Sequence, residues 1–355
     1  MLGGRVMEKV MKAAILYAPG DLRVEKVNIP KLKKGEALIK VSFCGVCGSD
    51  IPRILVNGTY HFPTIPGHEF GGNVVEVFDS VYKNLIGKKV AVVPLIPCKK
   101  CEMCEIGNFA QCKNYDFLGS RNDGGFAQYV KVPVENLIVL PDDMEDMAVA
   151  FLEPICVALH VIRNSGLSYG KNVAVFGLGA IGMFIAQWAK VFGAKHIFAI
   201  DVNEEKVALA KKIGLNNAIC TKDIDVEQYI NNLSSGVDFV FEASGSMIAF
   251  KQGIKILRQS GRLGLVGRPT KNIILEPDIF EKILRSQLKI IGTWSFEMKN
   301  FPSNDWHESM EAIYTDKIKI KELVSQIYEL DKISEAINIM KNHTESFTKI
   351  LISPN

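Results

Sequence analysis

Surplus charge is almost absent from this chain: 42 basic side chains stand against 39 acidic ones, leaving +3. No block of Lys/Arg exceeds two or three residues, which leaves no electrostatic footprint for nucleic acid or a membrane surface. Long apolar runs are missing too. The longest uncharged stretch, residues 172–189, contains Gly177, Gly179 and Gly182 and reads as strand, turn and helix, not as a membrane span. There is no internal repeat and no low-complexity tract. No signal peptide is visible, so the expected compartment is the cytoplasm, whose reducing interior also suits thiolates. Residues 1–10 lack periodicity, carry Gly3-Gly4-Arg5 and precede a second start at Met11; they read as an alternative start or a remnant of cloning. The remainder is an ordinary globular composition. At roughly 150 residues per domain, 355 residues make about two domains, and 48% hydrophobic residues can fill both cores.

Half of the eight cysteines lie in one short loop. Cys98, Cys101, Cys104 and Cys112 have the spacing C-x2-C-x2-C-x7-C, with Pro94, Pro97 and Gly107 marking a loop. Four thiolates so spaced can close on one tetrahedral zinc ion, a structural site with no open position. The alternative is a set of buried or disulfide-bonded cysteines. A second, dispersed set comprises Cys47 in Gly-Val-Cys-Gly-Ser-Asp, His68 and Glu69 in Pro-Gly-His-Glu, and Glu153 in Phe-Leu-Glu-Pro. One Cys, one His and a carboxylate leave a coordination position for a substrate or water oxygen, the composition of a catalytic zinc site. Cys44 and Cys47 also form a C-x-x-C. It can be read as a redox or zinc pair, or Cys44 can be a thiol packed where the strand of Ile39, Val41 and Phe43 ends.

From Lys12 to about Leu140, short apolar runs separated by Gly, Pro and Asp/Asn turns predict an all-β unit with long loops. The period changes after Asp142: residues 144–163 are apolar at helical spacing, with Glu153 on or beside that helix. Six strand candidates then alternate with helices, from Asn172–Phe176 to Lys289–Gly292, and predict a doubly wound parallel sheet. The tail after Phe301 is expected to return to the first domain. The domains are therefore drawn as 11–160 with 300–355, and 161–299.

The second domain opens on Gly177-Leu178-Gly179-Ala180-Ile181-Gly182, directly after the apolar strand Val173 to Phe176 and at the start of a helix. The first glycine permits a tight turn, the second lets the backbone approach a pyrophosphate, and the third allows close helix packing. Asp201 ends the next strand, where a carboxylate can accept hydrogen bonds from the adenosine ribose. A nicotinamide cofactor with an open zinc site means alcohol oxidation by hydride transfer. Ser49, two residues after Cys47, can take the hydroxyl proton; otherwise it is a plain turn serine.

With these residues in view, the chain from Met11 onward resembles the zinc-dependent medium-chain dehydrogenases. The cysteine lobe belongs to that wider family. A closer likeness, to members acting on sugar-alcohol phosphates such as galactitol 1-phosphate, is carried by residues 47–54, 94–98, 115–126 and Gly292-Thr293-Trp294. The resemblance implies a GroES-like catalytic domain beside a Rossmann domain, NAD as cofactor, and two zinc ions per chain. It implies Cys47, His68 and Glu153 as zinc ligands, with Glu69 a fourth ligand or exchange partner. It also implies cofactor contacts by Lys206, Val266, Gly267, Thr293 and Trp294, and a homodimer or homotetramer. Pro52 departs from relatives that carry a relay histidine nearby, so a relay through Ser49 must end in water or another base. Arg53 and Arg121 are the candidates for a substrate phosphate, because a guanidinium fork can bind its oxygens in bidentate fashion; surface or salt-bridge roles are the alternatives. Rival functions are oxidation of a free polyol such as sorbitol, or of threonine or butanediol, and, more remotely, a non-catalytic zinc-stabilised interaction protein.

Overall fold

The computed structural model describes residues 10–222, 224–269, 271–298 and 304–355. The segment 1–10, apart from Val10, and the proposed boundary at residues 299–300 lie outside the described residues. Contacts divide the chain into two compact units. The first holds Met1–Glu153, Gln326–Glu345 and Ile350–Asn355, and the second Pro154–Ser325 and Ser346–Lys349.

The first unit is built on the strand Glu36–Val46, which pairs antiparallel with Glu69–Val77, Tyr129–Pro133 and Lys349–Ser353. Covered along both edges, it buries Leu38, Ile39 and Val41 almost completely. Lys89–Val92 and Leu137–Val139 extend the sheet beyond Glu69–Val77. A separate hairpin, Val10–Ala18 with Asp21–Asn28, was not expected in its second half. Asp21–Asn28 alternates charged residues with Leu22, Val24 and Val27 and has no fully buried position, so its apolar signal is weak.

The second unit carries six parallel strands in the order Asn217–Cys220, His196–Asp201, Asn172–Phe176, Val237–Glu242, Leu257–Leu265 and Lys289–Gly292. This is the expected doubly wound sheet. Chain order reverses between Asn172–Phe176 and Val237–Glu242, the point where open α/β sheets bind ligands beyond their strand ends. Asn172–Phe176 is buried along its whole length, as a strand covered on both faces must be. One face of the core gathers Phe176, Phe198, Ile230, Val240, Ile254 and Ile279. Several helices begin on side chains that accept from their first free N–H groups: Asn203 from Glu205 and Lys206, Asp225 from Gln228, Ser246 from Ala249.

Other elements differ from expectation in their bounds. The helix drawn over 144–163 is instead a short turn, Asp146–Ala150, followed by the helix Leu152–Ser165. Pro154 lacks an N–H and can sit only in a helix's first turn, so the helix starts just before it. The strand expected from Arg262 begins at Leu257, with a register shift against Val237–Glu242 and Ser260 at φ 58. In the tail, the helix Asp305–Tyr314 falls in the second unit, whereas Ile333–Asn342 falls in the first.

Candidate active site

Adjacent strands bring the dispersed set together. Cys47 follows the end of Glu36–Val46, Glu69 opens Glu69–Val77, and Gly45 is paired with Glu69 across the ladder. The turn before His68 needs Gly67: its φ is +93, and a Cβ there would lie 2.8 Å from Cys44 Sγ and 2.9 Å from Phe126. One ligand atom each from Cys47, His68 and Glu69 lies within 4.8 Å of the others. Sulfur, imidazole nitrogen and carboxylate oxygen at that spacing form a donor set suited to zinc. Glu153, 7% exposed in the first turn of Leu152–Ser165, is not part of that mutually close trio. Cys44 also stays outside it, completely buried inside the strand, which runs two residues further than expected.

Sequence reasoning missed Asp50. This carboxylate is fully buried; its Oδ1 stands 2.7 Å from Arg53 Nη1 and 3.2 Å from His68 Nδ1, and its Oδ2 accepts from Cys47 N at 3.0 Å. The His68 contact has ion-pair distance without hydrogen-bond alignment. With Asp50 beside Nδ1, Nε2 would be the nitrogen offered to a metal ion, and Asp50 would be the usual outer partner of a ligating histidine. Burial alone would raise its pKa, but His68, Arg53 and the Cys47 N–H hold it below the ordinary carboxylate value. Burial likewise disfavours charge on His68, yet Asp50 and Cys47 hold its pKa well above the ordinary value. A metal cation would take the place of that imidazole proton. The available signal was position, since Asp50 lies three residues after Cys47 and its N–H closes a turn onto Cys47 O at 2.9 Å. Ser49 Oγ donates to Cys47 Sγ at 3.3 Å.

The four lobe cysteines also converge, their sulfurs within 4.8 Å of one another. Cys101 Sγ is 3.6 Å from Cys104 Sγ and 3.9 Å from Cys112 Sγ. A tetrahedron with Zn–S bonds of about 2.3 Å has edges of about 3.8 Å, so the spacing fits four thiolates on one zinc. No disulfide forms among the described residues. Backbone N–H groups of Lys113 and Cys104 lower the Cys101 pKa, while burial and neighbouring sulfurs raise that of Cys104. Four thiolates this close require a cation to be charged together.

In the second unit, Gly177 has φ +89, and a Cβ on it would meet Ser244 at 2.8 Å. A Cβ on Gly182 would lie 1.8 Å from Gly177 O, whereas one on Gly179 would meet nothing within 4 Å. The middle glycine therefore leaves its backbone open to a ligand, as a pyrophosphate needs. Leu178, Ala180 and Ile181 complete the segment where the helix Ala180–Val191 begins. Asp201 accepts from Leu178 N at 2.6 Å and from Asn203 N at 2.9 Å, which ties the glycine loop to the next strand end. Lys206 Nζ stands 5.5 Å from the Phe347 ring centre. Val266 and Gly267 follow the strand Leu257–Leu265, Thr293 N donates to Leu265 O at 3.3 Å, and Arg268 lies 5.4 Å over the Trp294 ring.

The two arginines have different surroundings. Arg53 gives one nitrogen to Asp50. The Arg121 guanidinium lies over two rings, 4.0 Å from the Tyr60 centre and 4.4 Å from the Tyr115 centre, with a buried Nε that has no hydrogen-bond partner. Tyr115 stands edge-on to Phe117 at 6.4 Å, and Phe117 is 5.8 Å from the His68 ring. A row of aromatic rings thus links Arg121 to the metal-ligand set.

Comparison with known proteins agrees with this geometry. Residues 33–142 match the alcohol dehydrogenase GroES-like domain and residues 180–315 the zinc-binding dehydrogenase domain. The chain is 34% identical to galactitol 1-phosphate 5-dehydrogenase of Escherichia coli (strain K12), over 97% of this chain and 100% of the relative. A crystal structure of galactitol-1-phosphate dehydrogenase from Escherichia coli superposes with TM-score 0.90 at 33% identity, covering 97% of this chain and 100% of that one. Sorbitol dehydrogenase of Bacillus subtilis (strain 168) is 29% identical over 97% of this chain and 98% of the relative. A zinc-binding-dehydrogenase homologue from Sinorhizobium meliloti 1021, bound to NADP, has TM-score 0.89 and 28% identity, covering 98% of this chain and 100% of that one. With both domain matches and this likeness along nearly its whole length, the chain belongs to the zinc-dependent medium-chain dehydrogenases, in their polyol-dehydrogenase branch.

Proposed function

We propose that this chain oxidises a secondary alcohol of a sugar-alcohol phosphate, such as galactitol 1-phosphate, to the ketose phosphate with NAD. Bound zinc would polarise the alcohol oxygen and nicotinamide would accept the hydride. Cys47 and His68 would hold the catalytic ion with Glu69 and Glu153, one of these carboxylates serving as the exchange partner. Asp50 fixes the His68 ring. Ser49 is the candidate to take the substrate's hydroxyl proton, and with Pro52 in place of a relay histidine that proton passes to water. Cys98, Cys101, Cys104 and Cys112 would hold a second, structural zinc. Gly177, Gly179 and Gly182 would carry the pyrophosphate and Asp201 the adenosine ribose. A 2′-phosphate would meet like charge at Asp201, which supports NAD over NADP.

The observation that carries the phosphate reading is Arg121. Contact with the Tyr60 and Tyr115 rings holds its guanidinium in place, and its terminal nitrogens would donate to an anion in bidentate fashion. Burial acts against its charge, but contact with the two tyrosines outweighs this and holds its pKa above the usual arginine value. Arg53 could contribute its remaining nitrogens. Oxidation of a free polyol is the second reading, and the commitment of Arg53 to Asp50 favours it. The test is Arg121→Ala and Arg53→Ala on galactitol 1-phosphate and on sorbitol. Loss of a charged hydrogen bond of roughly 1.5 to 3 kcal/mol should raise KM for the phosphorylated substrate, most in the Arg121 variant. Equal losses on both substrates, or none on either, would remove Arg121 from a phosphate site.

No helix of the described residues is long and apolar enough to cross a membrane, which is compatible with the cytoplasm as the working compartment. A second copy of the chain suits the edge strand Lys289–Gly292, where Ile290 is exposed together with Phe280 and Leu284 of the helix Pro277–Arg285. We infer a homodimer, or a tetramer built from it.

A further inference from the structure

Glu242 ends the strand Val237–Glu242 at the point where strand order reverses, and it is only 3% exposed. Its carboxylate is met by hydrogen-bond donors of Ser244 and Gly245, the second and third residues after it. Oε1 accepts from Ser244 N at 2.8 Å, Gly245 N at 3.0 Å and the Ser244 hydroxyl, and Oε2 accepts from Gly245 N at 3.1 Å. The main-chain oxygen of the same residue accepts from Val266 N at 3.0 Å and Gly267 N at 2.8 Å. One residue therefore ties down two loops that follow neighbouring strands.

The glycine loop is drawn in as well. Ala243 N donates to Phe176 O at 2.8 Å, and a Cβ on Gly177 would lie 2.8 Å from Ser244 N. A Cβ on Gly267 would lie 2.3 Å from Gly245 N and 2.6 Å from Glu242 Oε2. These loops meet backbone to backbone, so a shift at Ser244–Gly245 passes directly to Gly177 and Gly267. Further out, a cavity of about 460 Å³ is lined by Ser246, Met247 and Ile248 together with Pro269, Lys271 and Ile273. The roots of the loops, gathered on Glu242, are where their relative position is set.

A carboxylate is a costly group to bury unless its acceptor sites are filled, and charge-assisted bonds to N–H and O–H are what make it tolerable. An apolar residue could fill the space but could not order Ser244 and Gly245. The geometry points to Glu242 as a positioning residue for the dinucleotide: it orders the Gly177, Ser244–Gly245 and Val266–Gly267 loops into one surface before the cofactor arrives. This rests on the reading of the second unit as the dinucleotide site.

The test is NADH and NADPH titration of the zinc-loaded full chain by fluorescence, with steady-state kinetics, for the unmodified protein, Glu242→Gln and Glu242→Ala. Glutamine keeps one acceptor and the shape but loses the charge. Dissociation constants should rise on the order of tenfold in the alanine variant, the loss of one or two net hydrogen bonds, and by a smaller factor in the glutamine variant. The change should lie in the dinucleotide KM, with kcat and zinc content retained, a split that a merely structural role would not produce. If the alanine variant does not fold, the glutamine variant decides by the same split. Variants that bind within twofold of the unmodified protein, or that lose kcat at unchanged dinucleotide KM, would overturn the role of Glu242 and leave the dinucleotide site standing. An unmodified protein that binds neither NADH nor NADPH would instead remove the site itself.

Discussion

Replacing Asp50 by asparagine takes one negative charge from a carboxylate on which three groups depend. The side chain is fully buried, with Arg53 at 2.7 Å, His68 Nδ1 at 3.2 Å and the Cys47 N–H at 3.0 Å. Asparagine can still accept from Cys47, but its amide nitrogen then faces two donors. An outer partner of a metal-bound histidine is typically worth 10- to 100-fold in metal affinity, or about 1.4 to 2.7 kcal/mol at 1.36 kcal/mol per tenfold. The Arg53 side chain is 19% exposed and can turn partly to water. Stability should therefore fall by less than the roughly 3 to 5 kcal/mol that follows breaking a fully buried pair. Zinc retention against a graded chelator reads the first effect, and urea unfolding the second. The cysteine lobe is an internal control, because the contacts of Asp50 to Cys47, Arg53 and His68 do not reach it. An Asp50→Asn curve that overlays the unmodified one, for the zinc whose loss removes activity, would refute Asp50 as the partner of His68.

Other consequences can be checked in parallel. Two zinc ions per chain are expected by metal analysis; a mild chelator should remove one together with activity and leave the fold, whereas Cys101→Ser should destabilise the lobe, and at most one zinc with a stable Cys101 variant would contradict this. Asp201→Ala should narrow the preference for NAD over NADP, and should also weaken NAD itself because Leu178 N and Asn203 N lose their acceptor; equal efficiency with both cofactors in the unmodified enzyme would contradict the assignment. Burial lifts the Asp305 pKa to about 6 against the opposing pull of Arg163. The folded state then holds this proton between about pH 4 and 6 while the unfolded chain has released it, so stability falls as pH rises through that window, by about 3 kcal/mol at most. Asp305→Asn should lose that slope, and unfolding curves that stay parallel to the unmodified protein from pH 4 to 7 would contradict it.

What could be read from sequence was what lies close together along the chain. The glycine segment 177–182 and the cysteine lobe each confine their chemistry to a few residues, and the parallel sheet announced itself through apolar strands alternating with amphipathic helices. Asp50 was passed over because an Asp after Gly-Ser looks like a turn residue, and its partner His68 comes close only through the pairing of Glu36–Val46 with Glu69–Val77. Glu242 was hidden for a similar reason: its carboxylate serves loops that only the parallel sheet brings side by side. Tyr60 and Tyr115, distant in sequence from each other, became visible only as the two rings that meet Arg121. The strand Asp21–Asn28 escaped because a half-exposed hairpin partner shows little apolar period.

The most direct measurement is the initial rate of NAD reduction by the zinc-loaded chain on galactitol 1-phosphate and on sorbitol, each before and after removal of the labile zinc. The expected result is a higher kcat/KM on the phosphorylated polyol, abolished on both substrates by zinc removal and restored by adding zinc back. Turnover that survives loss of that zinc, or a kcat/KM on sorbitol equal to or above that on galactitol 1-phosphate, would contradict a zinc-dependent polyol-phosphate dehydrogenase.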